Sequence, residues 1–354
     1  MEKSFINGRG AQENVHNVFF KESYVQEHVE GIDDWEQDKP KTNFSIVHPK
    51  SIVNKVESPD VGMEYSLNPY QGCEHGCIYC YARNSHQYWG LSAGLDFETK
   101  ILVKANAPKL FREFLQKKSW DGKVISLSGN TDCYQPLERK FKLTRSILKI
   151  AQEFGQPISI ISKNSLVLRD ADILSEMAKK NQCAVFISIN SLTESTRQLL
   201  EPRTVTAKQR LKVLENLSAQ GIPVGIMCAP VIPGLTDHEI PNILKNAADA
   251  GAKWAGYTNV RLNGEIGKIF ENWLFQAYPD RANKIWHSIQ SCHHGKVNDS
   301  EFGNRMKGTG KLAEIIKDTF KMHSKRNKLN ESILELDSSN FRNRIDNQLN
   351  LFNF

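Results

Sequence analysis

Residues 63–81 read MEYSLNPYQGCEHGCIYCY, and in this stretch a short strand-like run leads directly into a loop that carries three cysteines. The cysteines have the spacing CxxxCxxC, at Cys73, Cys77 and Cys80. Thiolates are natural ligands of iron–sulfur clusters. Three thiolates on one loop can hold three corners of a cubane and leave one iron open to a substrate. A tetrahedral zinc ion needs a fourth ligand, which His75 or His86 would have to supply. The loop predicts a metal centre and favours a cluster over zinc.

Apolar runs and helical runs alternate regularly after this loop. Each apolar run is nearly continuous, as expected for strands that are covered on both faces of a parallel sheet. Together with the strand before Cys73 they make six βα units. The sequence therefore predicts an α/β fold, a partial (β/α)6 barrel of the TIM type. The later strands are predicted at 123–128, 157–162, 184–189, 222–231 and 253–260, with helices near 107–118, 139–154, 169–180, 206–220 and 237–250.

The chain divides into three parts by composition. Residues 1–60 are polar and irregular and predict an extended arm, whereas residues 61–264 hold the βα core. Residues 265–354 predict a helical extension. It includes a Lys-rich helix and basic tail within 302–328, and its Asn-rich end is expected to be flexible.

Bulk composition excludes several classes of protein. Of the 354 residues, 40% are hydrophobic and 24% are charged, which is ordinary for a soluble globular chain. No apolar run is long enough to span a membrane, and the first residues lack a secretory stretch. A cytoplasmic monomer is therefore expected. Seven cysteines, an odd number, argue against a disulfide framework. A net charge of +6 tolerates a polyanionic substrate without requiring one.

The cysteine loop, with Tyr79 before its last cysteine, resembles the signature of the radical S-adenosylmethionine superfamily. The resemblance implies that Cys73, Cys77 and Cys80 hold a 4Fe-4S cluster whose open iron binds S-adenosylmethionine. A one-electron donor such as flavodoxin or ferredoxin would reduce the cluster. Cleavage of S-adenosylmethionine would then give a 5′-deoxyadenosyl radical that takes hydrogen from a substrate. The loop follows the first strand, which agrees with barrel chemistry at the carboxyl ends of strands.

Later strand ends resemble the segments with which this family binds S-adenosylmethionine. The methionine part would meet the residues after the second and third strands, and the ribose or carboxylate would meet those after the fourth. Each residue also has a structural alternative, because polar residues at strand ends often cap the next helix and Met227 can simply pack in the core. The resemblance assigns S-adenosylmethionine to Tyr79, Gly129, Asn130, Thr131, Asp132, Lys163, Ser188, Asn190 and Met227.

A closer resemblance, over about residues 60–260, is to the spore photoproduct lyase group and a photolyase-like bacterial branch of it. The lyase reverses a thymine dimer in DNA, so the resemblance implies a nucleic-acid substrate. Tyr79 and Tyr81 match its catalytic tyrosine pair. Its hydrogen-donor cysteine falls at Gly129 of this chain. Cys133, four residues later, is either a displaced donor or an inert buried thiol.

Two other functions stay open on the sequence alone. A radical enzyme could act on a peptide or a small molecule, and a non-enzymatic protein could bind zinc or a cluster. Three polar motifs, at 8–14, 201–204 and 298–306, are expected to line the substrate opening. Basic residues near the C-terminal helix form either a nucleic-acid surface or an ordinary solvated face. These are Lys307, Lys311, Lys317, Lys321, Lys325, Arg326 and Lys328.

Overall fold

The computed structural model describes residues 5–20 and 41–343. Within them ten strands are formed. They are β1 (Asn43–Val47), β2 (Val53–Lys55), β3 (Tyr65–Leu67), β4 (Tyr70–Gln71), β5 (Lys100–Lys104), β6 (Ile125–Leu127), β7 (Ile158–Ser162), β8 (Cys183–Ser188), β9 (Val224–Val231) and β10 (Trp254–Asn259).

Helices fill most of the connections between these strands. They are α1 (Leu95–Thr99), α2 (Ala107–Leu115), α3 (Glu138–Phe141), α4 (Leu143–Phe154), α5 (Ala171–Ala178), α6 (Glu194–Leu200), α7 (Ala207–Ala219), α8 (Ile240–Asp249), α9 (Ile266–Ala277), α10 (Ala282–Ser291) and α11 (Lys311–Arg326).

The main sheet has seven strands in the order β10-β9-β8-β7-β6-β3-β2. Six of them, β3 and β6 to β10, run parallel. The seventh, β2, pairs antiparallel with β3 at one edge. The six predicted βα units and the α/β fold are therefore confirmed. In the described residues the sheet stays open between β10 and β2, and no closed barrel is seen.

A second sheet of three strands, in the order β1-β5-β4, lies beside the cysteine loop. It holds β4, which ends two residues before Cys73 and so fixes the start of that loop. The polar arm predicted over residues 1–60 thus contributes two strands, β1 and β2. Their side chains are mostly exposed, so the sequence lacks the buried apolar run that would predict them.

The C-terminal region differs from its prediction in two places. The helix expected within 302–328 begins only at α11, because Gly303, Gly308 and Gly310 adopt positive φ angles of 89°, 74° and 85° that a right-handed helix does not tolerate. Of the end expected to be flexible, residues 337–343 are described and make backbone hydrogen bonds to the core, while residues 344–354 lie outside the described residues.

Residues 329–342, here called the C-terminal strap, cross the amino-terminal ends of the parallel strands. The side-chain oxygen of Asn330 accepts a hydrogen bond from the amide of Ala255, near the start of β10, at 2.8 Å. Further along, the amide of Asp337 donates to the carbonyl of Asn181, just before β8, at 2.8 Å. The amide of Arg342 then donates to the carbonyl of Phe154 at 3.0 Å, at the end of α4. The strap therefore covers the edge of the sheet formed by the amino-terminal ends of the strands, whereas the cysteine loop lies at their carboxyl ends.

No helix among the described residues is long and apolar enough to cross a membrane.

Candidate active site

The cysteine loop is buried and has a defined backbone. Cys73 and Cys77 are 6% and 7% exposed, and Cys80 is partly exposed. The amide of Cys73 donates to the carbonyl of Phe97 at 2.9 Å, and the amide of Cys80 donates to the carbonyl of Cys77 at 3.3 Å. Gly76 has a φ of 67°, which lets the loop turn back between two of the cysteines. The loop therefore presents three thiols from one compact turn.

The surroundings of the thiols keep them protonated when no metal is bound. Burial raises the pKa of Cys73 well above its ordinary value and that of Cys77 to about 12. The other loop thiols and Asp132 add to the shift at Cys73, whereas Lys163 opposes it at Cys77. A bound cationic centre reverses this balance, because a coordinating thiol loses its proton. The protons would leave as the cluster binds.

The donor chemistry of the loop fits an iron–sulfur cluster better than a single metal ion. Within residues 5–20 and 41–343, no group of three or more His, Cys, Asp or Glu side chains is placed to hold a metal ion. Three buried thiols on one short loop nevertheless supply the soft sulfur ligands that such clusters take. In a 4Fe-4S cluster each thiolate binds a different iron atom, so the three sulfurs need not converge on a single point.

The N-terminal motif supports the loop from one side through a buried ion pair. Glu98 and Arg83 are both fully buried and form a salt bridge. Glu98 accepts hydrogen bonds from the amides of Gly10 and Ala11 at 3.1 and 2.8 Å. Arg83 in turn donates to the carbonyl of Cys77 at 2.9 Å. Part of the motif at 8–14, expected to line a substrate opening, is thus packed against the cysteine loop.

The motif at 201–204 supports the loop from another side. The amide of Ile78 donates to the carbonyl of Leu200 at 3.0 Å, and the amide of Arg203 donates to that of His75 at 3.3 Å. Glu201 is fully buried and accepts a hydrogen bond from the hydroxyl of Tyr79. Its second oxygen accepts from Arg210 at 2.5 Å. This motif also packs on the loop, and it fixes the ring of Tyr79.

Asp132 follows β6 and connects it to the end of β7 and to His75 of the cysteine loop. Its carboxylate accepts from the amide of Lys163 at 2.8 Å and from the hydroxyl of Ser162 at 2.9 Å, and it lies 3.4 Å from Nδ1 of His75. Burial acts to raise its pKa, but His75 and the backbone amides outweigh burial and hold that pKa at about 2. Asp132 therefore stays charged and fully engaged within the protein.

Tyr81 meets the other predicted residues after β6. Its hydroxyl donates to the carbonyl of Gly129 at 2.7 Å, and its ring is 54% exposed. Asn130 donates to Ser85 at 3.2 Å, and the hydroxyl of Thr131 donates to the carbonyl of Tyr70 at 2.7 Å. The segment 129–132 thus lies beside β4 and beside residues 81–85, which flank the cysteine loop on its two sides.

Gly129 has no room for a side chain. A Cβ atom built there would lie 2.7 Å from Cβ of Ser66 and 3.4 Å from the sulfur of Met63. The first distance is shorter than any ordinary carbon contact. A cysteine at this position would therefore force β3 and β6 apart.

Cys133 lies in a different environment from the tyrosine pair. It is fully buried in the main core, whereas Tyr79 belongs to a second apolar cluster with Cys77 and Ile78. Burial raises the pKa of the Cys133 thiol well above its ordinary value, and the charge of Asp132 adds to the effect. A raised pKa keeps the proton that either role needs, whereas complete burial in the main core, apart from the cluster that holds Tyr79, favours the inert thiol.

Lys163 and Asn190 are polar groups that the described residues leave unpaired. Among those residues the ammonium of Lys163 has no hydrogen-bond partner, yet it lies within electrostatic reach of Cys77, Cys80 and Glu201. Asn190 is 2% exposed, and neither its amide nitrogen nor its amide oxygen has a partner. A buried unpaired amide costs about 1–3 kcal/mol, which a bound ligand would recover. Both residues follow parallel strands, at the same edge as the cysteine loop.

The remaining predicted residues, Ser188 and Met227, stand opposite each other on β8 and β9. Ser188 is buried, and its carbonyl accepts from Arg210 at 2.8 Å. The Met227 side chain lies over Gly256 of β10, where an added Cβ would come within 2.8 Å of its sulfur. Met227 lies in the middle of β9 and is partly exposed, and its carbonyl accepts from the amide of Ile189, the residue before Asn190, at 3.0 Å.

Replacing Asn190 with alanine is expected to weaken the binding of S-adenosylmethionine about tenfold and to leave the stability of the ligand-free protein unchanged or raised, because an unpaired amide disappears. Calorimetric titration and thermal unfolding measure the two effects. Asn164→Ala is the matched control, since Asn164 is equally buried but accepts from the amide of Leu166 at 3.0 Å. The control should lose stability. Loss of stability in both variants, with unchanged affinity, would contradict the assignment.

The motif at 298–306 bridges the open side of the main sheet. The amide of Asn259, at the end of β10, donates to the carbonyl of Met306 at 2.9 Å. Nearby, Nε of Arg305 donates to Asp60 at 2.5 Å, in the loop between β2 and β3. The ammonium of Lys307 donates to the carbonyl of Tyr257 at 2.6 Å, so it has a protein partner although the residue is exposed. This motif spans the gap between the first and last strands.

Comparison with known proteins decides the family. The model of the radical SAM superfamily matches residues 67–247, a span that starts in β3 and ends in α8. This chain belongs to the radical SAM superfamily. Radical SAM proteins use a 4Fe-4S cluster and S-adenosylmethionine, so the chain is an enzyme of radical chemistry.

Relatives of this radical SAM chain occur in bacteria, archaea and viruses. An uncharacterised protein of Mycobacterium tuberculosis (strain ATCC 25618 / H37Rv) is 32% identical over 68% of this chain and 72% of its own length. One of Methanocaldococcus jannaschii is 30% identical over 68% of this chain and 85% of its own. A protein of Pseudomonas phage M6 described as a radical SAM Nalpha-GlyT isomerase is 27% identical over 56% of this chain and 42% of its own.

Among solved structures, the radical SAM fold is shared with spore photoproduct lyase. A lyase complexed with dinucleoside spore photoproduct has a TM-score of 0.57 and 17% identity, over 84% of this chain and 85% of that chain. A mutant of the lyase with bound AdoMet and the same dinucleoside has a TM-score of 0.56 and 16% identity, over the same shares. The likeness establishes the fold, which agrees with the resemblance read from the sequence.

Proposed function

We propose that the protein cleaves S-adenosylmethionine reductively at a 4Fe-4S cluster held by Cys73, Cys77 and Cys80, and that it acts on a modified or damaged nucleic acid. The main support for the cluster is the buried loop with its three thiols. The motifs at 8–14 and 201–204 pack against this loop on two sides, within a radical SAM domain. When bound, the cluster and S-adenosylmethionine would supply a 5′-deoxyadenosyl radical, and the protein supplies orientation and exclusion of water.

The residues around the loop divide into binding and positioning groups. Lys163 offers an unpaired ammonium for the carboxylate of S-adenosylmethionine, and Asn190 offers both polar atoms of an unpaired amide. Asp132 and Glu201 already have protein partners, so they hold His75, Lys163 and Tyr79 in place. Asn130, which follows β6, and Met227, which is partly exposed in β9, are further candidates for contacts with the cofactor.

An open cleft beside Tyr81 supports the nucleic-acid substrate. It has a volume of about 390 Å³ and is lined by Tyr81, Asn130, Phe19 and Tyr88 among others. The rings of Phe19 and Tyr88 are 4.9 Å apart and are 55% and 78% exposed. Exposed aromatic rings form platforms on which unpaired bases stack. The lyase that shares this fold is complexed with a dinucleoside spore photoproduct, which is a ligand of the proposed class.

Purification without oxygen, reconstitution with iron and sulfide, and reduction are expected to give an enzyme that forms 5′-deoxyadenosine from S-adenosylmethionine. The triple variant Cys73→Ala, Cys77→Ala, Cys80→Ala should bind no cluster and form none. Ultraviolet-damaged single-stranded DNA with deuterated thymidine should transfer deuterium into the 5′-deoxyadenosine, and DNA binding should fall steeply with salt.

A second triple variant, with alanine at Cys183, Cys228 and Cys292, is the control, because these buried thiols lie outside the loop. It should keep its iron. Zinc in place of iron in the wild-type protein would overturn the proposal. An active cluster that never takes deuterium from DNA would remove the nucleic-acid substrate and leave the radical enzyme.

A further inference from the structure

A strongly basic surface lies on the outside of the domain, behind the cysteine loop. A concave site of about 460 Å³ is lined by Ser146 and four cationic side chains. Two further cations lie in α3, which ends one residue before Lys142, and one of them, Lys140, contacts the ring of Phe44. We call these six residues the basic patch: Arg139, Lys140, Lys142, Arg145, Lys149 and Arg169.

Buried acids hold the arginines of the basic patch in fixed positions. Arg169 donates to Glu138 at 2.6 Å and to Asp170 at 2.7 Å, and both acids are fully buried. Arg145 donates to Asp170 at 2.9 Å and to the exposed Asp172 at 2.7 Å. Because these acids lie beneath or beside the guanidinium groups, the concave face still presents an excess of positive charge. Lys142 and Lys149 are exposed and have no ion-pair partner among the described residues.

The same acids connect the basic patch to the cysteine loop. Glu138, which holds Arg169, accepts a hydrogen bond from the hydroxyl of Tyr70 at 2.5 Å, and Tyr70 lies three residues before Cys73. Gln135, one turn earlier, donates to the carbonyl of Gly72 at 3.0 Å and accepts from the amide of Glu74 at 3.2 Å. One layer of buried side chains therefore separates the patch from the loop.

We infer that the basic patch is the docking surface for an acidic electron-carrier protein. This inference rests on the proposed function, because it concerns how the cluster receives its electron. The carrier loses one electron and the cluster gains it, so no further reactant is needed. A rigid cationic surface attracts an acidic partner by long-range steering and orients it before contact. The position of the patch directly behind the loop keeps the path of the electron short.

The observations favour a carrier protein over the phosphate backbone of a nucleic acid at this patch. The cleft beside Tyr81, where the substrate would enter, shares no residue with the patch. A nucleic acid seated on the patch would approach the loop from the side of Tyr70, behind the cysteines, whereas Tyr81 and Asn130 face the cleft.

The test compares a double variant, Lys142→Glu with Lys149→Glu, against wild type and a control, Lys208→Glu with Lys212→Glu. All four lysines are exposed and lie at or on helices. The probe is a purified bacterial flavodoxin. Its binding is titrated with the unreconstituted protein, and the rate of cluster reduction by reduced flavodoxin is followed spectroscopically in the reconstituted protein. Dithionite, a small chemical reductant, is used in parallel.

We expect the Lys142/Lys149 variant to bind flavodoxin at least tenfold more weakly at low salt and to be reduced by it correspondingly more slowly. Reduction by dithionite should be unchanged, the control should match wild type, and high salt should remove the difference. Equal binding by the variant and wild type would overturn the inference, as would weakened binding of single-stranded DNA with unchanged flavodoxin reduction. Failure of the proposed function would appear separately, as no dithionite-reducible cluster in wild type.

Discussion

Replacing Glu98 with glutamine is expected to abolish stable iron loading of the cysteine loop. Arg83 would keep its positive charge while fully buried, without the carboxylate that balances it. An uncompensated buried charge costs about 3–5 kcal/mol. Because Arg83 also holds the carbonyl of Cys77, and Glu98 holds Gly10 and Ala11, the loss would loosen the loop on the side of the N-terminal motif. Iron and sulfide content after anaerobic reconstitution, together with thermal unfolding, measure the effect.

Glu153→Gln is the matched control for this change. Glu153 also forms an arginine pair, with Arg112, but the two side chains are 40% and 39% exposed. Exposed pairs contribute about 0–1 kcal/mol, so this variant should unfold and load iron nearly as wild type does. If Glu98→Gln behaved like the control, the buried pair would not be what holds the loop.

Replacing Gly10 with alanine is expected to detach the N-terminal motif from the cysteine loop and to make the cluster labile. A Cβ atom at Gly10 would lie 1.9 Å from the carbonyl oxygen of Gly76. That oxygen belongs to the backbone and cannot rotate away, so the two segments must separate. Overpacking of this kind costs about 1–3 kcal/mol or more. The measurement is the rate at which the reconstituted cluster is lost on exposure to air, together with the iron content before exposure.

Gly62 provides the control for the alanine at position 10, because an added Cβ there meets no atom within 4 Å. Gly62→Ala should keep the iron content and the cluster lifetime of wild type. A Gly10→Ala protein whose cluster lasts as long as that of the Gly62 variant would show that the contact with Gly76 does not protect the cluster.

The sequence predicted the parts of the molecule that follow local patterns. The six parallel strands are apolar runs because both faces of the sheet are covered, and the cysteine spacing is a pattern within eight residues. The resemblance to the radical SAM family added the segments that follow β6, β7 and β8, together with Met227 inside β9, and the fold brings the ends of these parallel strands to one edge of the sheet. The βα order itself is therefore readable without a structure.

The supports of the cysteine loop could not be read from the sequence, because their partners are far apart in the chain. Glu98 binds a segment 88 residues earlier, and Arg305 binds a residue 245 positions away. No local spacing signals such a pair, so the polar motifs were expected at a substrate opening. Asp132 shows the same limit. Its type and place suit a cofactor ligand, and only the structure reveals that its oxygens are taken by protein groups.

The C-terminal strap has a consequence for how the protein is made. Residues 329–342 follow all ten strands of the described residues, yet they hydrogen-bond to residues at the start of β10, near β8 and at the end of α4. During synthesis on the ribosome the sheet can therefore form before the strap has been translated. The amino-terminal ends of its strands then stay exposed until the strap emerges. Contacts of such long sequence separation form slowly. Nascent chains stalled before residue 329 should accordingly be more sensitive to proteases and more prone to aggregate than chains extended past the strap.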